Sequence, residues 1–158
     1  MSSAPAISIA VETPLSDEMR VMVGELNDLL LSLTSEDACH HLTVEQMADA
    51  RTTVFVARVD GKLAACGSLY RHKGSVAEVK RMYTRPAYQS LGLGRKLLDR
   101  ILALAIEEGF SEAALETGVN YAAAKHLYET SGFEVCGPIL DYPEHPESLF
   151  YSRRLTAA

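Results

Sequence analysis

The stretch that most constrains this chain is a glycine turn, Gln89-Ser90-Leu91-Gly92-Leu93-Gly94-Arg95-Lys96, set between two segments of different periodicity. Before it, Val76 to Tyr83 (VAEVKRMY) reads as a strand bounded by Lys73-Gly74 and Arg85-Pro86. After it, Leu93, Leu97, Leu98, Ile101, Leu102 and Ala105 recur at helical spacing, with Arg95, Lys96, Asp99 and Arg100 off that stripe and Gly109 as a C′ stop. A strand that feeds a helix through such a turn presents unpaired N–H groups at the helix N-terminus, where the macrodipole favours an anion. Gly92 and Gly94 let that anion approach the backbone with no Cβ in the way. Two nucleotide motifs fail on spacing: a Walker loop requires G-x-x-x-x-G-K-[ST], and a dinucleotide fingerprint requires a third glycine where Leu97 stands. The competing reading is that the glycines only permit tight packing of the helix on a sheet.

Charge is focused on the same place. The net charge of −6 argues against polyanions and anionic membrane surfaces as partners, because those need an excess of Lys and Arg. Four basic and ten acidic residues precede Arg71, eight and two lie between Arg71 and Arg100, and three and nine follow. The middle thirty residues are therefore a basic island: Arg71, Lys73, Lys80, Arg81, Arg85, Arg95, Lys96 and Arg100. A small anionic ligand accounts for it, and so does a solvated face paired with the acidic flanks.

With 158 residues, 47% of them hydrophobic, and no repeat or linker, one domain spanning residues 1–158 is expected. Ile7 to Val11 alternates as a strand, and a helix opens after Pro14 and Ser16 with Met19, Met22, Val23, Leu26, Leu29, Leu30 and Leu33. A short helix follows Thr43, whose hydroxyl caps it with Gln46 three residues on. Thr53 to Val59 and Lys62 to Tyr70 flank Asp60-Gly61, a signal for a type I′ hairpin. Ser111 to Glu116, Phe133 to Cys136 and Ser148 to Leu155 read as strands, and Tyr121 to Thr130 as a helix. The order predicts an α/β (α+β) fold: a mixed central sheet of about six to seven strands with helices on both faces. The unit from Val76 to Glu116 should be a parallel, right-handed crossover.

Cys39, Cys66 and Cys136 are too few and scattered for a disulfide framework, and no C-x-x-C pair occurs. The N-terminal stretch lacks the basic and apolar regions of a secretory signal, and no window is long enough to span a bilayer. A cytoplasmic protein with no membrane or nucleic-acid partner is expected. Cys39-His40-His41 invites a metal reading, but adjacent residues rarely converge on one ion, so a polar loop without metal is expected.

Gln89-x-x-Gly92-x-Gly94 resembles the Q/R-x-x-G-x-G/A motif of the GCN5-related N-acetyltransferase (GNAT) superfamily, and its strand–loop–helix setting is similar too. Leu127-Tyr128-x-x-x-Gly132-Phe133 resembles that superfamily's second signature. The matching parts span about Val76 to Val135, and the hairpin and last strand suit the acyl-CoA N-acyltransferase fold. The resemblance implies an acetyl-CoA site. Backbone N–H groups of Leu91, Gly92, Leu93, Gly94 and Arg95 would hold the pyrophosphate, with Gln89 at the opening polar position, Ser90 after it and Lys96 adding charge. Met82, Tyr83 and Thr84 would splay from the next strand and pair with the pantetheine arm. Arg81 and Arg85 would serve the ribose phosphate or the surface. Many members carry Asn seven positions before the motif tyrosine; this chain has Tyr121 there, with Asn120 one step earlier as the coenzyme contact.

Direct transfer to an amine needs a base for the amine proton and an acid for the leaving thiolate. Tyr128 matches the family tyrosine that protonates the sulfur; its rival role is a core aromatic. Glu78, eleven positions before Gln89, matches the catalytic glutamate of the histone-acetylating branch; its rival role is a surface glutamate paired with Lys80 or Arg71. Glu116 is the reserve base. Cys66 and Cys136 read as small apolar residues, and no G-x-S-x-G motif supports a hydrolase. Asp141, Tyr142, Glu144 and His145 in a Pro-rich loop, and Glu25, Asp28, His40 and His41 nearer the N-terminus, are candidates for recognising the acceptor. The expectation is an acetyl-CoA-dependent N-acetyltransferase acting on a small-molecule amine or amino acid, with a homodimer left open. The alternatives are a non-catalytic acyl-CoA-binding or regulatory module and an acetyltransferase acting on a protein amine.

Overall fold

The computed structural model describes residues 4–33, 43–140 and 142–156. Strands β1 (Ile7–Val11), β2 (Thr52–Val59), β3 (Lys62–Arg71), β4 (Val76–Thr84), β5 (Glu112–Gly118), β6 (Glu134–Cys136) and β7 (Ser148–Arg154) form one seven-stranded sheet. Their order is β1-β2-β3-β4-β5-β7-β6. Helices α1 (Asp17–Leu33) and α2 (Val44–Met47) follow β1, α3 (Leu93–Glu107) joins β4 to β5, and α4 (Ala122–Thr130) follows β5. The β4–β5 pair is parallel and the other pairs are antiparallel, giving the mixed sheet that the element order predicts.

The period-2 alternation of the inner strands divides the core between two faces. Val54 and Val56 of β2 join Met19, Met22 and Leu26 of α1 on one side. Phe55 and Ala57 join Leu97, Leu98 and Ile101 of α3, with Tyr128 of α4, on the other. Local signals behave as the residues dictate. Asp60 and Gly61 have φ of 50° and 83°, the left-handed pair of a type I′ turn. Thr43 accepts from the Gln46 N–H at 3.1 Å while Gln46 accepts from the Thr43 N–H at 2.9 Å, a reciprocal cap. The segment after Arg85 departs from expectation. Pro86–Leu91 forms a 3-10 turn with Pro at its start, where a missing N–H costs nothing, and Gly92 at φ 71° hands the chain to α3.

Two departures from ideal geometry open the sheet. β4 pairs with β5 only at Val76–Glu78 against Glu112–Ala114, although both strands run on and β5 stays paired with β7 along its whole length. Beyond Glu78 the β5-facing edge of β4 therefore has no strand partner among the described residues. On its other edge β4 carries a bulge, since Cys66 pairs with Tyr83 but Ser68 pairs with Lys80, leaving Arg81 and Met82 opposite Gly67 alone. Arg81 takes a φ of 59° there. A Cβ on Gly67 would stand 2.2 Å from the Met82 Sδ, so a side chain there would have to displace Met82 at the bulge. The extra residue re-aims the strand: Val79 and Met82 pack on the α3 side, whereas Arg81 bonds to Asn27 of α1 and Tyr83 joins the α1 core.

Candidate active site

The opening between β4 and β5 holds an inner pocket of about 90 Å³, flanked by two larger clefts. On the α4 side a cleft of about 470 Å³ is lined by Met82, Tyr83, Thr84, Gln89, Gly92, Leu93, Gly94 and Arg95, together with α4 residues. These are eight of the positions that the motif predicts. Of the same turn, Ser90, Leu91 and Lys96 do not line it, and Leu91 packs toward the α3 core instead. The Asn120 amide donates to the Leu33 carbonyl at 3.0 Å, and its neighbour Tyr121 lines the cleft in its place.

The N-terminus of α3 at this cleft has the chemistry of an anion site. No side chain caps it and no acid occupies its first turn, while the Lys96 N–H is taken up by the Gly92 carbonyl at 3.2 Å. The N–H groups of Leu93, Gly94 and Arg95 are thus left to a ligand. A Cβ on Gly94 would lie 3.3 Å from Leu127 across the cleft, so the glycine holds that space open. The residues present fit a coenzyme pyrophosphate, with the unpaired edge of β4 beside it for an amide-bearing arm.

The basic island, contiguous in sequence, is dispersed by the fold. Arg71 pairs with Glu108 at 2.6 Å, and Arg85 pairs with Glu25 at 3.1 Å while donating to the Leu63 carbonyl. Arg100 lies over the Phe55 ring, 5.6 Å from its centroid. Exposed Arg95 and Lys96 remain at the turn, and Arg95 donates to Thr130 on α4 at 2.6 Å. Arg81 and Arg85, offered for the ribose phosphate or the surface, do neither at the turn: both side chains pack toward α1.

Glu78 is 2% exposed, not a surface residue. Its Oε1 stands 2.8 Å from His72 Nε2, and its Oε2 accepts from the Tyr142 hydroxyl at 2.6 Å. Lys80 Nζ is 3.9 Å away and also lies over the Tyr70 and Tyr142 rings. Arg71, the other partner considered for Glu78, is taken by Glu108. Burial and then the charge of Glu78 raise the Tyr142 hydroxyl well above the usual tyrosine range. His72 has no motif around it; only the β3–β4 pairing, which sets Tyr70 opposite Glu78, brings it to the carboxylate. Glu116 lines the inner pocket and accepts from the Ser148 hydroxyl at 2.8 Å.

Tyr128 is 5% exposed, with Phe133 and Tyr151 at ring separations of 5.8 and 6.1 Å. Its hydroxyl makes no hydrogen bond among the described residues, and it borders both the inner pocket and the α4-side cleft. Burial, then Tyr121, pushes that hydroxyl above its ordinary range, so it stays protonated. Burial also pushes the Cys66 thiol up to about 12, consistent with a small apolar core residue. His145 accepts from the Glu147 N–H within its own loop, and Glu25 is held by Arg85 and Tyr83. Asp28 is exposed, while Cys39, His40, His41 and Asp141 lie outside the described residues. Among the described residues no group of His, Cys, Asp or Glu is placed to hold a metal, and no helix is long and apolar enough to cross a membrane.

Solved structures share this architecture. A Klebsiella pneumoniae protein ascribed to the acyl-CoA N-acyltransferases superposes with a TM-score of 0.81 at 24% identity, over 95% of this chain and 98% of its own. A Salmonella typhimurium protein ascribed to the acetyltransferases, solved with its cofactor acetyl-CoA, gives 0.70 at 21% identity, over 97% and 96%. The fold is that of the acyl-CoA N-acyltransferases. The profile of the Acetyltransferase (GNAT) family matches residues 23–133, and the chain belongs to that family of N-acetyltransferases. It is 36% identical over 152 residues to a protein named IAA acetyltransferase from Azospirillum brasilense, covering 96% of this chain and 99% of that one.

Proposed function

We propose that the protein transfers an acetyl group from acetyl-CoA directly to a primary amine of a small molecule or amino acid, both bound at once. One observation carries this reading. The inner pocket shares Met82, Tyr121, Ala124 and Tyr128 with the α4-side cleft, and Glu78, Lys80 and Tyr142 with a second cleft of about 480 Å³ beside α2. An acid and a base thus border one small space that coenzyme and acceptor enter from opposite sides. The acetyl-CoA-bound Salmonella typhimurium protein of the same fold supports the coenzyme assignment.

Leu93, Gly94 and Arg95 N–H groups hold the pyrophosphate, Arg95 and Lys96 add charge, and the backbone of Met82 to Thr84 pairs with the pantetheine amides. When bound, acetyl-CoA supplies a thioester whose C–S bond breaks as the new C–N bond forms. Glu78 receives the proton of the attacking amine, its carboxylate oriented by His72 and Tyr142. Tyr128 donates its hydroxyl proton toward the departing thiolate, having no internal acceptor to satisfy. Glu116 remains the second carboxylate within the pocket.

The test is a thiol-release assay over amines and amino acids, with calorimetry of acetyl-CoA binding. Binding with turnover on a small amine supports the reading. Binding without turnover on any amine identifies a non-catalytic acyl-CoA module, turnover confined to peptide amines identifies a protein acetyltransferase, and absent binding refutes the coenzyme site.

A further inference from the structure

Arg81 is a cation that the transfer chemistry does not use. It is 9% exposed and occupies the β4 bulge, where the extra residue turns it toward α1 beside Lys80 rather than toward α3. Its Nη2 donates to the neutral Asn27 side chain, and its buried Nε has no hydrogen-bond partner among the described residues. Three partly buried arginines, by contrast, are answered by carboxylates: Arg58 by Glu12 at 2.8 Å, Arg71 by Glu108 at 2.6 Å and Arg85 by Glu25 at 3.1 Å. Among the described residues Arg81 has no such counter-charge. Burial lowers its affinity for the proton, yet a guanidinium starts so high that it stays charged.

An uncompensated buried charge opposes folding, and such a group persists where a ligand supplies the missing charge. That ligand is not the coenzyme phosphate, because Arg81 borders the inner pocket and is absent from the cleft at the glycine turn. Lys80, the neighbouring cation, is already engaged with Glu78 and two aromatic rings. The inner pocket therefore offers an acceptor two carboxylates, Glu78 and Glu116, and one guanidinium, Arg81, that no carboxylate answers among the described residues. We propose that Arg81 binds a carboxylate of the acceptor, so that the substrates are amino acids or other amines carrying a carboxylate near the reacting nitrogen. This rests on the acetyl-transfer reading and specifies its acceptor.

The experiment compares α-amino acids with their α-amides as acceptors for the wild type, Arg81→Gln and Arg81→Lys. A charge-assisted contact predicts that the wild type favours the acid by about 10- to 100-fold in kcat/KM. Arg81→Gln should abolish the preference, chiefly through a higher KM for the acid. Arg81→Lys should restore part of it. Loss of melting temperature together with a uniform fall on acids and amides would mean that Arg81 is structural, and would overturn the proposal. If acetyl-CoA binds but no amine turns over, the transfer reading fails, and calorimetry still decides the role of Arg81. The probes are N-acetyl amino acids and their methylamides, added to coenzyme A-loaded protein. Tighter binding of the acids, lost in Arg81→Gln, supports the proposal; equal binding of acid and methylamide by the wild type overturns it.

Discussion

Removing the Tyr128 hydroxyl separates catalysis from packing. The ring is buried against Phe133 and Tyr151, so truncation to Ala would open a cavity worth about 3–5 kcal/mol. Tyr128→Phe keeps that packing and deletes an oxygen that makes no hydrogen bond among the described residues. Stability should then change by no more than about 0.5 kcal/mol, roughly 1–2 °C in Tm for a chain of this size. Acetyl-CoA affinity should also hold, because the α3 N-terminus and the edge of β4 are untouched. Turnover is another matter. A positioned general acid contributes about 10²–10⁴-fold, or roughly 3–5.5 kcal/mol of barrier. The assay is single-turnover thiol release under saturating coenzyme, with calorimetry and a thermal melt on the same sample. Retention of kcat within threefold would refute the general-acid role, and a drop of several kcal/mol in stability would show that the hydroxyl has a structural partner.

Glu78→Gln preserves shape next to His72 and Tyr142 but cannot accept the amine proton, so kcat/KM should fall by about 10²–10⁴ with coenzyme affinity intact; steady-state kinetics at several pH values checks this. Gly92→Ala meets no atom but forces a side chain onto φ 71°, costing about 1–2 kcal/mol in a denaturant melt and weakening coenzyme binding as the α3 N-terminus shifts. Glu108 is held below its ordinary range by its hydrogen bond to Arg71. A lowered carboxyl stabilises the fold above its unfolded value and loses that contribution as pH falls through its folded one. Glu108→Gln should therefore lower stability by under about 1 kcal/mol near neutrality, and the gap from wild type should close below about pH 4.5 in pH-stepped melts.

The legible part of the fold came from local patterns with one physical solution. Asp60-Gly61 between alternating runs can only close a hairpin, Thr43 with Gln46 can only start a helix, and a strand running through Gly92 into an amphipathic stripe makes a βα turn. The motif likewise pointed to residues that line the cleft proposed for the coenzyme, since backbone N–H groups there depend on glycine placement rather than on distant partners. Other features had no local signal. The 3-10 turn at Pro86–Leu91 hides behind an ordinary Arg-Pro boundary, and the Cys66 to Ser68 register shift appears only when β3 and β4 pair. His72 joins Glu78 through that pairing as well.

Taken by itself, the sequence determined a mixed α/β sheet, a glycine turn suited to an anion at a helix N-terminus, and residue types able to transfer a proton. Tertiary structure alone decided what the charges do. Ion pairing and burial depend on contacts between residues far apart in the chain, so a basic island legible as one feature became several fates. Arg71 and Arg85 are neutralised by acids from other elements, Arg95 and Lys96 stay at the turn, and Arg81 is turned by the bulge to line the inner pocket with no counter-charge among the described residues.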